Sequence, residues 1–408
     1  MLDFWGSVPV ESCLCIYCTN VRLMINALNR HLGTSGQLPA ERAMLGFFTC
    51  PTLEKLPNIK CIDGACKMRP LNVFCRDIYG CQDVLWKKWT RIDGKFEPIE
   101  RKGSIRDLLS DLQNALEEPT KGTSFVQHLF VAFWQQSQFK ICKTNLEENE
   151  LVMVQDFWEN RKAAYAEEVK SAHFGKSQIT FHPVVCFYRC GDQVIRESLI
   201  FLSDDICHDH HAVKSFTIQA LNLLKKKTSF SKATIWNDGA VQGKGTFCDL
   251  SNMLGLDVQR CYLGSEHGKN ESDGETGILS QAVKRAVHEG QSFRNASDMV
   301  VYLSKLNTNP HRQYVLVNNI EWDSNNDDSL AIPGSRKLHQ YQRLAAYVLR
   351  ARQLCCFCCA CRQKPNVNVI LNNGFLGDPD VQRKSSVAEP ESSVYQLKVG
   401  DYVTLQHK

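Results

Sequence analysis

Between residues 151 and 290 the apolar pattern changes period again and again, and that succession restricts the fold more than any other feature of the chain. It begins with Leu151-Val152-Met153-Val154-Gln155-Asp156, a short apolar run that ends in an acid. Residues 179–189 and 193–202 follow as strand-like runs rich in Val, Ile, Phe and Tyr. Val213, Phe216, Ala220, Leu221 and Leu224 then recur at helical spacing, with Lys225-Lys226-Lys227 where a helix C-terminus favours cations. Ala233-Thr234-Ile235-Trp236 predicts a fourth strand, running into Asn237-Asp238-Gly239. A short helix carrying Phe247, Leu250 and Leu254 is stopped by Gly255, and residues 258–263 make a fifth strand. A last helix, with Leu279, Ala282, Val283 and Ala286 on one face, follows Asp273-Gly274-Glu275. The order is strand, strand, strand, helix, strand, helix, strand, helix, which is an α/β unit.

The chain has 408 residues, enough for two or three domains, and 43% apolar with 23% charged residues is ordinary globular composition. No apolar run approaches the roughly 18 residues of a membrane span, and the start lacks the pattern of a secretory signal. With 48 basic against 44 acidic residues the net charge is only +4, so a nucleic-acid surface would have to be local. Nineteen cysteines is a high count, and eight of them precede residue 82. Without a signal peptide, reduced thiols and zinc are expected rather than disulfides.

Residues 1–91 form a Cys-rich helical region with Cys13, Cys15, Cys18, Cys50, Cys61 and Cys66 as zinc candidates and an amphipathic helix over Val21, Met24, Ile25, Leu28 and Leu32. Their spacing is irregular, and buried free thiols are the competing explanation. Residues 92–150 read as a helical connector, with Ser104 capping Ile105, Leu108, Leu109, Leu112 and Leu116. The unit proper spans 151–320, and residues 314–317 add a late strand. Residues 321–377 are a basic, Cys-rich extension. Its segment 336–352 suits either a nucleic-acid surface or a solvated helix face, and Cys355-Cys356-Phe357-Cys358-Cys359-Ala360-Cys361 suits either chelation or a lipidated tract. Residues 378–393 read as a linker and 394–408 as a partial β module. His267-Gly268-Lys269 could contact a phosphate or tune a metal ligand, or be an ordinary loop; His208, His210 and His211 read as a solvated loop.

A resemblance joins these parts. Asp156-Phe157 with Glu159-Asn160, His182-Pro183, Ser203-Asp204-Asp205, Asn237-Asp238-Gly239, His267-Gly268-Lys269, Asp273-Gly274, Ile332-Pro333-Gly334 and Gly400-Asp401-Tyr402-Val403 resemble the DDE/D transposase-like proteins derived from transposons in animal genomes. The resemblance implies a ribonuclease H-like mixed sheet flanked by helices, preceded by a helical zinc-binding Cys-rich region and followed by a small β-containing tail. In that family an acid lies on the first strand, another after the fourth and a third at the helix after the fifth. These places hold Asp156, Asp238 and Asp273 here, with Glu271 and Glu275 as rivals for the third.

The implied activity is metal-dependent cleavage and transfer of DNA strands at transposon ends, in the nucleus, by a chain that can act as a homo-oligomer. Phosphodiester chemistry of this kind uses two Mg²⁺ or Mn²⁺ ions about 3.5–4 Å apart. Hard cations take oxygen ligands, so acids distant in sequence have to converge. Asp156, Asp238 and Asp273 are the expected ligands, and His267 and Lys269 the expected phosphate contacts. Two other functions fit the same residues: a domesticated DNA-binding or chromatin protein without turnover, and a zinc-stabilised protein-interaction scaffold.

Overall fold

The strand Glu150–Gln155 is buried along its whole length, as a strand with a neighbour on each side and a layer on each face must be. The computed structural model describes residues 15–32, 38–40, 83–117, 124–157, 160–171, 176–206, 209–238, 250–264, 267–268, 270–318, 320, 337–345, 348–357 and 369–370. Two units divide the chain, Met1–Gln136 and Ser137–Lys408.

In the first unit, helix α1 (Ile16–Asn29) buries Val21, Met24, Ile25 and Leu28, the stripe expected from the sequence. Strands β1 (Val84–Ile92) and β2 (Lys95–Gly103) follow as an antiparallel hairpin. Part of the expected helical connector is therefore strand. The cause is local: Asp93 and Gly94 both take positive φ (47° and 85°), which a two-residue hairpin turn needs. Asn20 of α1 stands in as a strand partner, donating to the Trp89 carbonyl at 3.0 Å and accepting from its N–H at 2.7 Å. Helix α2 (Ile105–Glu117) starts where expected, with Ser104 and Asp107 capping each other, and buries Ile105, Leu108, Leu112 and Leu116. Helix α3 (Phe125–Thr144) ends this part of the chain.

The second unit is a mixed sheet with helices on both faces. Its strands are β3 (Glu150–Gln155), β4 (Arg161–Lys162), β5 (Gln178–Cys190), β6 (Gln193–Ser203), β7 (Lys232–Asn237), β8 (Asp257–Tyr262), β9 (Arg312–Leu316), β10 (Gln340–Ala345), β11 (Val348–Arg352) and β12 (Val369–Ile370). Their spatial order is β12-β11-β10-β8-β7-β3-β5-β6-β9, with β4 beside β5. Strands β3, β7 and β8 run parallel, and β5 is antiparallel to β3 and to β6. Of the expected basic extension, residues 340–345 and 348–352 are strands that prolong this sheet past β8, not a helix face. Cys355 is buried in the core and its thiol donates to the His339 carbonyl (3.2 Å). The expected linker 378–393, the β module 394–408 and Cys358, Cys359 and Cys361 lie outside the described residues.

Strand alternation sorts the core into two layers. Leu151, Met153, Ala233 and Ile235 face helix α4 (His210–Lys225) through Phe216, Ala220, Leu221 and Leu224. Val152, Val154 and Trp236 face the other way, onto Phe139 and Cys142 of α3. Further along that second face, Ile179, Phe181, Ile200 and Leu202 meet Leu279 and Ala286 of α6 (Glu271–His288) and Met299 and Leu303 of α7 (Ala296–Leu306). Helix α5 (Leu250–Leu254) is a single turn ended by Gly255 at φ 62°.

One buried charge fastens α6 to the sheet. Glu275, with its side chain 2% exposed, accepts from Arg196 of β6 (2.7 Å), Ser198 of β6 (2.8 Å) and Arg312 of β9 (2.9 Å). Removing one partner of a buried pair strands the other charge. Glu275→Ala is expected to cost roughly 3–5 kcal/mol in denaturant unfolding. Arg196→Ala, at the solvent end of the cluster, should cost about 1 kcal/mol or less.

Candidate metal centre

The parallel register of β3 with β7 pairs Gln155 with Asn237, so the next residue of each strand, Asp156 and Asp238, leaves the sheet at the same level. Both are half-buried. The parity that points Val154 and Trp236 at the second face sends both acids toward the face where α6 packs.

Helix α6 brings the third acid. Asn270 is its N-cap, accepting from the Ser272 N–H at 2.7 Å, and the Asp273 carboxylate accepts from the Asn270 N–H at 2.8 Å, which is a reciprocal capping box. The Ser272 hydroxyl donates to the Val154 carbonyl (3.0 Å), tying the first turn to the end of β3. Lys143 of α3 pairs with Glu271 and lies over the Phe139 and Phe187 rings (4.2 and 5.0 Å to the centroids), a second tether for the same turn.

The three acids feel one another. Burial pushes the Asp156 carboxyl up to about 7, and the charges of Asp238 and then Asp273 add to the rise, while a hydrogen bond from the Phe157 backbone opposes it. Their oxygens are not all within 4.8 Å of one another, as the ligands of a single ion would be. Glu275 and Glu271, the rivals for the third place, have other partners: the arginine cluster and Lys143.

Gly268 is packed against Asp238. A Cβ there would sit 2.5 Å from Asp238 Oδ1, so a larger residue would displace the carboxylate. His267 is half-buried just before it, its N–H donating to the Gly264 carbonyl (2.9 Å). Lys269 lies outside the described residues.

With this geometry in place the chain can be compared with known families. A profile described as a domain of unknown function (DUF8701) matches residues 135–355, just over half of the chain. The chain belongs to this family. No curated protein matches it. The DUF8701 region contains Asp156, Asp238, Asp273 and Glu275, and with them strands β3 to β11.

Ahead of the DUF8701 region a second group of ligand atoms converges within the first unit. Cys15, Cys18 and His128 place their sulfur and nitrogen atoms within 4.8 Å of one another and could hold a metal such as zinc. Cys15 is the N-cap of α1, its Sγ accepting from the Cys18 N–H at 3.2 Å, so the two thiols share the first turn. His128 Nε2 lies 3.4 Å from Cys15 Sγ, and its ring stacks on Tyr17 at 4.6 Å. Of the expected zinc ligands, Cys13, Cys50, Cys61 and Cys66 lie outside the described residues. His128 was missed from the sequence, because a single histidine on an apolar helix face carries no local sign of a ligand.

Two measurements address these groups. The folded protein holds the Asp156 proton to about pH 7, whereas an unfolded carboxyl releases it near 3.8, so folding takes up a proton in between. Stability of the metal-free protein should therefore fall as pH rises from about 4 to 7. Asp156→Asn should flatten that slope and add up to about 4 kcal/mol at pH 8, read by denaturant unfolding. For the thiol group, Cys15→Ser/Cys18→Ser should lose the zinc that the parent chain carries in elemental analysis and lower its melting temperature, and a chelator should affect only the parent.

Proposed function

We propose that the Ser137–Lys408 unit is a ribonuclease H-like polynucleotidyl transferase of the DDE/D transposase type, acting on DNA at transposon ends in the nucleus. The observation that carries this reading is the placement of Asp156 and Asp238 at the ends of two adjacent parallel strands, with Asp273 in the first turn of one helix; burial raises the Asp156 carboxyl to about 7, and the charges of the other two acids add to the rise. The succession of elements from β3 to α6 is the one that such a unit requires, and β3 and β7 are adjacent in one mixed sheet, as the two acids require.

The donor set fits hard divalent cations. It is all oxygen, drawn from three elements, and its mutual repulsion is the kind that a bound Mg²⁺ or Mn²⁺ relieves. When bound, two such ions would activate the attacking water or 3′-hydroxyl and steady the leaving oxygen. Asp156 and Asp238 would hold them and Asp273 would complete the set. Gly268 keeps Asp238 in place by leaving it room, and the Ser272 and Glu275 contacts fix the position of Asp273. His267, the expected phosphate contact, directly precedes Gly268 in the loop before α6. The Cys15, Cys18 and His128 group would serve as a structural zinc site in the first unit.

Nicking of duplex DNA carrying the element's own ends, with Mg²⁺ or Mn²⁺, tests the assignment. Asp156→Ala, Asp238→Ala and Asp273→Ala should each lose at least roughly 10²–10³-fold in rate while staying folded. Glu275→Gln, which keeps the shape of the arginine cluster, should retain most activity. A parent chain that binds such DNA and never cuts it would leave the domesticated, non-catalytic protein as the answer. An active Asp273→Ala would remove that residue from the ligand set.

A further inference from the structure

Helix α6 joins the acids to a second feature at its other end. Asp273, Gly277, Ser280, Lys284 and His288 succeed one another at intervals of four, three, four and four, so they share one helix face. Gly277 leaves that face open, with nothing within 4 Å of where a Cβ would be. The face runs into a cleft of about 250 Å³ between α6 and β4. Arg161 and Lys162 of β4 rim the cleft on one side, and Lys284 and His288 of α6 on the other, over a floor that includes Phe181 and Met299. Strand β4 is held there by its pairing with β5 and by the bridge of Ala164 to Phe293, and the Arg161 guanidinium contacts the Ser280 hydroxyl. No acid lines the cleft among the described residues.

We propose that this cleft binds the sugar-phosphate backbone of the DNA strand whose scissile bond lies at Asp156, Asp238 and Asp273, an inference that rests on the reading of those acids as a phosphodiester site. Its volume, about 250 Å³, is below the roughly 300–1,000 Å³ of drug-sized sites. Its charge is complementary to phosphate, and its apolar floor is complementary to a sugar. From Asp273 to Lys284 the helix rises about 16 Å. At about 3.4 Å of strand per nucleotide, that puts the cleft about five nucleotides from the acids. Cations near the end of α6 also suit the helix dipole, but Lys162 is on a strand and gains nothing from it.

The salt dependence of binding separates a phosphate contact from a favourable helix end. Full-length chain is titrated onto a fluorescein-labelled duplex of arbitrary sequence, and onto its single strand, in EDTA with rising KCl. The variants are Lys162→Ala, Lys284→Ala and the double variant, with Lys305→Ala as a surface control on α7. Each cleft lysine should lower the slope of log affinity against log salt by about one, and the double variant should bind about ten-fold more weakly at low salt. Lys305→Ala should leave the slope unchanged. Slopes that stay at the parent value in both cleft variants overturn the proposal, as does a parent chain that binds neither probe. Nicking assayed on the same preparations keeps the two readings apart. Binding that depends on the lysines without any cleavage keeps the cleft and removes the catalytic reading. Cleavage with unaltered slopes does the reverse.

Discussion

The register between β3 and β7 is the constraint on which the second unit depends. These two strands are central, parallel and buried on both faces, so a slip by one residue would send each apolar set into the layer shaped for the other. Leu151, Met153, Ala233 and Ile235 need the α4 layer, while Val152, Val154 and Trp236 need the layer that contains Phe139. The same alternation that satisfies both layers also fixes where each strand delivers its next residue. Asp156 and Asp238 are neighbours because each directly follows one member of the Gln155–Asn237 pair in that register.

Helix α6 is held to that frame at three levels. Ser272 bonds the end of β3, Glu271 pairs with Lys143, and Glu275 is clamped by arginines of β6 and β9. The first turn can therefore carry a carboxylate toward Asp156 even though repulsion between the acids would push the helix away. Asp273 is itself exposed and engaged in the capping box, so the same group that starts the helix also acts by its charge on Asp156. Gly268 adds a steric condition from the loop before the helix, since only a residue without a side chain leaves the Asp238 carboxylate where it is.

What could be read from the sequence was local. The β-branched runs, the stripe of α4, the stop at Gly255 and the acids following two strands all follow from short-range pattern. Other features depended on distant partners. Arg350 and Arg352 suggest a solvated helix, yet both are buried in a strand, and Arg350 donates to Gln342 across the β10–β11 hairpin. The β1–β2 hairpin did have a local sign, Asp93-Gly94, but the lysines and arginines around it match no buried face and mask the strand pattern. His128 meets Cys15 across 113 positions of chain, a distance at which spacing says nothing. Asp273 and Glu275 differ by two positions on one helix, and only arginines contributed by β6 and β9 distinguish them.

That last contrast bears on what the acids are for. Glu275 is a buried carboxylate with its charge matched inside the chain, by two guanidinium groups and a hydroxyl, and such a group stabilises position. Asp156 is a half-buried carboxylate whose strongest charged neighbours among the described residues are two more carboxylates, and ionising it costs the fold free energy. An amide or an apolar side chain would serve packing better at that place. Arginines surround Glu275, whereas the effect that opposes the rise at Asp156 among the described residues is one backbone hydrogen bond from Phe157. On the proposed reading divalent cations balance the three acids, delivered where the DNA phosphate would also lie.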